Sequence, residues 1–374
     1  MEEKNKMRIL IVGEFSGFAK NLKSGFSDLG HKVTIVSSGD GFKKIDTDED
    51  DIKFSNRRLK LFGKYIPKSY LLFAPFENKK IQRKLNLISE SIDIVIVINS
   101  VFTTNTIFST GVNIKYIDKL LSKGSKLVVS CCGGDPANRK YYSDLRYWKE
   151  IFPQGIKYPK KQQQELFNML LLKSQIIIPT SYVYFYTIVK YSKCNDFKVN
   201  ISNVIPLPIQ INDYNFKSCI GRKIVIFHGV IRETAKGTKY FLSALEKIKE
   251  NFGDKIEVIV DGKMPYNEYI KLLDKVDILL DQTNSYGMGV NAVLGLMKGK
   301  VVLGGNEKEN EENMGLGKVP VINVIPDSDY IYNVLKELIL NPEKIDKIKL
   351  ESRKFAVEKL DAKIIAKRYL DLLL

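Results

Sequence analysis

Short, uninterrupted runs of Val, Ile and Leu alternate along this chain with stretches of helical spacing, and no other feature limits the fold as much. In the first half the runs are Arg8–Gly13, Lys32–Ser37, Ile92–Asn99, Lys126–Cys131 and Gln175–Pro179. Between them, Ala19–Leu29 has the spacing of a helix and stops at Gly30, and Tyr116–Ser122 does the same before Gly124. Runs that are apolar at successive positions belong to strands covered on both faces. Strand, helix, strand in this rhythm predicts a parallel sheet flanked by helices.

The second half repeats the pattern. Strands are predicted at Lys223–Phe227, Ile256–Val260, Val276–Asp281 and Val301–Gly304. In Thr238–Asn251 the spacing of Phe241, Leu242, Leu245, Ile248 and Phe252 is that of an amphipathic helix. Further helices are predicted at Glu268–Lys275, Val290–Lys298, Asp329–Leu340 and Ile345–Leu373. The stretch Asn203–Gly221 has Pro206, Pro208 and no sustained period, and reads as a connection. At 374 residues the chain suits two domains of about 150–200 residues. The predicted fold class is α/β, with two Rossmann-like, doubly wound domains facing across a cleft. Residues 1–205 form the first domain, 206–221 the linker, 222–355 the second domain, and 356–374 a helix returning to the first. Ligands of open α/β sheets sit beyond the carboxyl ends of the strands, so the cleft is the expected site.

Hydrophobic residues at 44% and charged residues at 27% exclude a disordered, collagenous or coiled-coil chain. No 18-residue apolar window is uninterrupted; the nearest, Ser174–Val189, contains Pro179. Cys131, Cys132, Cys194 and Cys219 lack metal-ligand spacing and read as reduced thiols, which fits a cytoplasmic protein. The net charge is +16, of which residues 1–221 supply +14, with 34 Lys and Arg against 20 Asp and Glu. An anionic partner of the first half would explain this, and so would a lysine-rich composition without one.

Gly13-Glu14-Phe15-Ser16-Gly17 follows the first strand but is not GxGxxG, and no acidic residue follows the second strand, so a dinucleotide dehydrogenase is disfavoured. After the strand ending at His228-Gly229, a short loop presents Arg232 and Lys236 just before a helix start at Gly237-Thr238. Two cations and free helix N–H groups at a strand end suit a pyrophosphate, the alternative being a solvated basic loop. The next strand of interest delivers Asp281-Gln282, followed by a glycine-rich turn, Tyr286-Gly287-Met288-Gly289, into the helix that begins Val290-Asn291. Gly304-Gly305-Asn306-Glu307 after the following strand allows close approach of a ligand. There is no Ser-His-Asp order, and the spacings Asp46/Asp48 and Asp327/Asp329 read as an acidic loop and a helix cap, so no metal site is expected.

These segments resemble a family. Phe227-His228-Gly229, Arg232, Lys236-Gly237-Thr238, Asp281-Gln282, Ser285-Tyr286, Gly289-Val290-Asn291-Ala292 and Gly299-Lys300-Val301-Val302 before Gly304-Gly305-Asn306-Glu307 resemble the donor domain of the GT-B glycosyltransferases, specifically glycosyltransferase family 4 and its bacterial polysaccharide-assembly branch. In the first half the likeness is confined to Gly30-His31-Lys32-Val33 and the hinge-like Ile205-Pro206-Leu207-Pro208. The resemblance implies a hexosyltransferase that moves a sugar, with retention, from a nucleotide-sugar co-substrate to a glycan or lipid-diphosphate-linked acceptor, without a further cofactor. It implies that Arg232, Lys236 and Glu307 carry catalysis, and that His228, Gly229, Asp281, Tyr286, Gly289, Val290 and Asn291 bind the donor. Gly17 and Asp135 are the acceptor-side candidates. The family's Glu-x7-Glu pattern falls at positions 286 and 294, which hold Tyr286 and Leu294; Asp281, Asn291 and Glu307 are the candidate replacements. The rival reading is a catalytically silent subunit of this fold that binds glycan or a partner protein.

The strip Arg57–Lys84 interleaves nine Lys and Arg with Leu59, Phe62, Tyr65, Phe73, Phe76 and other apolar residues. That composition suits an anionic membrane surface, and equally a solvated flank over a local core. Nucleic acid is a weaker expectation, because no reading module accompanies the charge.

Overall fold

The computed structural model describes residues 6–37, 48–53, 59–66, 69, 76, 79, 81, 83–87, 92–98, 117–262, 264 and 266–373. Two parallel sheets dominate it. The first comprises β1 (Arg8–Val12), β2 (Lys32–Ser37), β3 (Ile52–Lys53), β6 (Ile94–Ile98), β7 (Lys126–Cys131) and β8 (Ile176–Pro179), ordered β3-β2-β1-β6-β7-β8. The second comprises β9 (Ile224–Gly229), β10 (Ile256–Asp261), β11 (Ile278–Leu280), β12 (Val301–Gly304) and β13 (Val321–Asn323), ordered β10-β9-β11-β12-β13. Strand order reverses direction beside β1 and beside β9, which makes both carboxyl ends topological switch points. A small antiparallel hairpin, β4 (Lys60–Leu61) with β5 (Lys64–Tyr65), lies within the basic strip. Half of that strip, including Arg57, Arg58, Lys68 and Lys80, lies outside the described residues.

The apolar runs at the centre of each sheet are strands because they cover two faces at once, whereas edge strand β10 is largely exposed beyond Ile256. Ile9 and Ile11 point into one core with Phe18, Leu22 and Phe26, while Leu10 and Val12 point into the other with Leu166, Leu170 and Tyr191. In the second sheet Val225, Phe227 and Leu279 face one core, and Ile224, Ile226, Ile278 and Leu280 the other. Period-two alternation is thus present in the backbone but hidden in the sequence, since both sets are apolar.

The connection between the sheets is not a solvated linker. Val204 is buried in the second domain's core and its neighbour Ile205 in the first domain's. Ile209 N–H donates to the Leu360 carbonyl at 2.9 Å, and Ala362 N–H donates back to the Ile209 carbonyl at 2.9 Å. The closing segment, predicted as one helix over Ile345–Leu373, is broken. Helix Pro342–Phe355 runs into a π turn, Ala356–Leu360, and Asp361 then caps a new helix, Ala362–Asp371. This last helix lies on the first domain. Tyr369 meets Phe26 edge-on at 6.4 Å, and its hydroxyl shares a 2.8 Å hydrogen bond with Ser130. Gly25 permits the approach: a Cβ there would sit 1.9 Å from the Ala362 carbonyl oxygen.

Helices of the described residues without a counterpart in the sequence-based expectations include Pro136–Tyr141, Trp148–Ile151, Lys161–Lys173, Tyr182–Cys194, Glu233–Lys236 and Lys308–Met314. The apolar window Ser174–Val189 resolves into β8 and the first turns of Tyr182–Cys194. Among the described residues no helix is long and apolar enough to cross a membrane.

Candidate functional site

β9 ends in His228-Gly229, and its loop reverses through a short helix, Glu233–Lys236, into the long helix Thr238–Phe252. Gly237 joins the two with φ 66°, and a Cβ there would lie 1.9 Å from Thr283 Oγ1, so no other residue fits without displacing the β11 loop. Arg232 is exposed. Lys236 is buried, with its ammonium on Asp281 Oδ1 in an ion pair at the carboxyl end of β11. Lys236 thus stands against a carboxylate of its own domain at the strand ends.

Asp281 itself is fully buried, and its Oδ2 has no hydrogen-bond partner. That oxygen lies 3.7 Å from where a Cβ of Gly289 would stand and 3.7 Å from that of Gly304. An unpartnered, buried carboxylate oxygen therefore lies beside two glycines, between the ends of β11 and β12. Gly289 also caps the helix Val290–Met297, whose first-turn N–H groups have no carbonyl partner within the helix. Val290 and Asn291 stand half-buried at this helix start. A group offering both hydroxyl donors and anionic oxygens would satisfy both features.

The His228 side chain braces the strand end. Its ring is fully buried against Phe241; Nδ1 donates to the Leu280 carbonyl at 2.9 Å, so Nε2 accepts from the Thr238 hydroxyl at 3.0 Å. Burial pushes its pKa down to about 4, which keeps the ring neutral. Gly229 follows it at the strand end, packed near the Phe227 ring. Leu294, where the family pattern has its second glutamate, is buried in the apolar core.

Tyr286 and Glu307 do not join Lys236 and Asp281; they meet the first domain. The Arg146 guanidinium lies over the Tyr286 ring, 4.9 Å from its centroid, and Nε donates to the Tyr286 hydroxyl at 3.3 Å. Arg146 also pairs with Glu307 at 3.3 Å and with Glu309. The Tyr147 hydroxyl donates to Glu307 Oε1. Burial, reinforced by that carboxylate, pushes the Tyr147 phenol well up. Tyr182 packs on Tyr286 at 5.4 Å, and its N–H donates to Asn310 Oδ1 at 3.0 Å. Lys239 reaches Glu150 at 3.2 Å. The Tyr142 phenol, pushed up to about 12 by burial, is pulled back by the charge of Arg232 across the cleft. Arg146, Tyr147 and Tyr142 were invisible in the sequence, because their segment is irregular and their partners lie far along the chain.

On the first domain's side, Gly17 has φ 86° and precedes the helix Phe18–Asp28. The N-terminus of that helix is already taken: Glu14, buried, accepts from Gly17 N–H at 2.8 Å and from Lys20 N–H at 2.9 Å. This carboxylate occupies the position where a phosphate would sit. Asp135, beyond β7, is buried and caps the helix Pro136–Tyr141 by accepting from Asn138 N–H at 2.8 Å. Burial pushes its carboxyl up to about 7 against the pull of those amides. Asp327 caps the helix Ser328–Leu340, and no cluster of metal-ligating side chains occurs among the described residues.

No family profile and no curated protein matches this sequence. Solved structures do match it over nearly their whole length. HepE of Anabaena in complex with UDP-glucose superposes with a TM-score of 0.61 at 15% identity, covering 98% of this chain and 99% of that one. Sucrose-phosphate synthase from Thermosynechococcus elongatus gives 0.59 at 13% identity, covering 98% of each chain. TarM gives 0.61 at 9% identity and covers 99% of each. The likeness shows the fold: two parallel-sheet domains in the GT-B arrangement.

Proposed function

We propose that the protein is a glycosyltransferase that moves a sugar from a nucleoside-diphosphate sugar to a hydroxyl of a glycan or lipid-linked acceptor. One observation carries the reading: the unpartnered Asp281 Oδ2 between Gly289 and Gly304 at the carboxyl ends of β11 and β12, beside Lys236 and the start of helix Val290–Met297. Asp281 would accept a donor-sugar hydroxyl. Lys236, Arg232 and the helix N–H groups would hold the diphosphate. The bond from the anomeric carbon to the β-phosphate oxygen breaks, and its electron pair leaves with the phosphate. The acceptor oxygen bonds to the anomeric carbon, and its proton passes to the departing oxygen. Cations beside that oxygen stabilise its developing charge, so transfer is proposed to survive chelation. Retention and a polysaccharide-assembly role are carried over from the motif resemblance. UDP is the first nucleotide to test, since HepE was solved with UDP-glucose.

The tests are a thermal-shift screen with nucleoside diphosphates and their sugars, followed by donor hydrolysis with and without EDTA. Absence of any nucleotide binding would end this reading. Loss of turnover with EDTA, rescued by magnesium or manganese, would end its metal-free form.

A second reading, a silent subunit of the same fold, is favoured by the internal pairing of Lys236 with Asp281 and of Glu307 with Tyr147. Nucleotide binding without turnover would support it.

A peripheral location on an anionic, cytoplasmic membrane face is part of the proposal. The β4–β5 hairpin supports it by carrying Phe62, 96% exposed, and Leu61 between Lys60 and Lys64.

A further inference from the structure

A cavity of about 580 Å³ opens on the first domain, beside the loop that bears Arg232 and Lys236. Its walls include Arg139, Phe152, Gln154, Lys157 and Tyr158, and Thr234 closes it from the second domain. No Asp or Glu lines it. The Arg139 guanidinium lies 5.6 Å from the centroid of the Phe152 ring, and it makes no ion pair among the described residues. Lys157 likewise has no hydrogen-bond or ion-pair partner among them. Tyr158 is 68% exposed, an open ring at the cavity wall. Asp135, the acid that feels the charge of Arg139, is buried as a helix cap and does not line the cavity.

Two unpaired cations beside two aromatic rings form a site with a definite chemistry. Aromatic faces bind the C–H faces of a sugar ring, and unpaired cations in a concave wall select negative charge. Thr234 belongs to the same short helix as Lys236, so whatever fills the cavity lies next to the donor diphosphate loop. We propose that this cavity holds the acceptor, and that the acceptor is a sugar bearing an anionic group, with Arg139 and Lys157 on the charge and Phe152 and Tyr158 on the ring. The assignment to an acceptor rests on the transferase reading above; the preference for an anionic sugar does not.

The experiment is calorimetric titration with three probes: a uronate-terminated disaccharide, its carboxyl-reduced neutral counterpart, and a hexose 1-phosphate. UDP is titrated in parallel. At least one anionic probe should bind about tenfold more tightly than the neutral one, the effect of a charge-assisted hydrogen bond. Which of the two binds separates a carboxylate from a phosphate. Arg139→Gln should erase the preference, Arg139→Lys should restore part of it, and Lys157→Gln, at an exposed position, should weaken it less. UDP affinity should stay unchanged in all three variants. Equal affinity for neutral and anionic probes, binding of none of them, or a preference that survives Arg139→Gln combined with Lys157→Gln would overturn the proposal. Failure of the wild-type chain to bind UDP, with the anionic preference intact, would instead sink the transferase reading and leave the anion-selective cavity standing.

Discussion

Arg146 and Tyr286 stand 140 positions apart and join the two domains face to face, guanidinium on ring, with the Tyr286 hydroxyl accepting from Arg146 backbone N–H at 3.2 Å and from Nε at 3.3 Å. The pair sits beside the buried Tyr147–Glu307 hydrogen bond, so two contacts of different burial close the same side of the cleft.

These two contacts should differ in cost. The Arg146 side chain is 51% exposed, and a cation on an exposed ring with surface ion pairs contributes about 1 kcal/mol. Tyr147→Phe leaves a buried carboxylate oxygen without its donor, a penalty of about 1–3 kcal/mol. Denaturant midpoints should therefore fall further for Tyr147→Phe than for Arg146→Ala. Both variants should speed amide exchange in Lys308–Met314, the helix that Glu307 precedes. Unchanged exchange there in both variants would show that the contacts do not hold the domains together.

Lys236 and Asp281 demand a double-mutant cycle rather than a single deletion. Removing the lysine alone strands a fully buried carboxylate and should destabilise the fold by about 3 kcal/mol or more. Lys236→Met combined with Asp281→Leu should recover most of that loss, while nucleotide binding stays abolished. Arg232→Ala, at an exposed position, should lower nucleotide affinity and leave the melting temperature unchanged. A stable Lys236→Met single variant would mean that Asp281 has another partner in solution.

The central strands were legible because they are apolar on both faces, as Ile94–Ile98 and Ile224–Gly229 show, and a run of that kind has few other uses; the short edge strands Ile52–Lys53 and Val321–Asn323 have no such run and were not expected. The basic loop was legible because Arg232 and Lys236 follow a strand end at once. What sits against the loop was not. Nothing in the spacing says that Asp281 closes on Lys236, or that His228 turns inward to Leu280 and Thr238, because those contacts are set by strand register. Helix Pro136–Tyr141 has only six residues, too few to display a period, and Arg146 and Tyr147 follow it in turns. The π turn at Ala356–Leu360 contains no Gly or Pro to mark it; the backbone pairing of Ile209 with Leu360 and Ala362 imposes it.

Asp135 gives the fold a pH signature of defined sign. Its pKa is raised from 3.8 to about 7, so between about pH 4 and pH 7 the folded state keeps a proton that the unfolded state has released. Its contribution is therefore fully present below pH 4, fades as pH rises, and is gone above 7. Asp135→Asn keeps a cap and cannot ionise. The variant should gain stability over the wild type as pH rises from 5 to 8, by roughly 3 kcal/mol at about 1.4 kcal/mol per unit, nearly all of it below pH 7. His228, whose pKa moves down to about 4, acts in the opposite direction below pH 6.5 but is common to both proteins and cancels in the difference. A difference in melting temperature that is flat across this range would remove Asp135 as its source.

The hairpin formed by β4 and β5 turns the question of the basic half into a local one. Phe62 is almost wholly exposed at its tip, with φ 47°, a backbone region that side chains rarely adopt without a reason in the turn. Leu61 is 59% exposed beside it. A lone exposed ring is ordinary on a soluble surface, but one on a hairpin within a strongly basic strip suits insertion among anionic headgroups. The wild-type chain should sediment with vesicles containing acidic lipid and not with neutral ones. Attachment should weaken as salt rises, since the Debye length shrinks to about 3 Å at 1 M. Phe62→Ser should lower the vesicle-bound fraction at low salt without changing UDP affinity, because the ring contributes apolar area and the strip supplies the charge. Changing Lys79 and Lys84 to Gln should reduce binding in a way that disappears at high salt. Equal sedimentation with neutral and acidic vesicles, or a Phe62→Ser variant that binds as the wild type does, would leave the hairpin without a membrane role. Salt-sensitive retention on single-stranded nucleic acid, with none on vesicles, would assign the +14 of residues 1–221 to that partner instead.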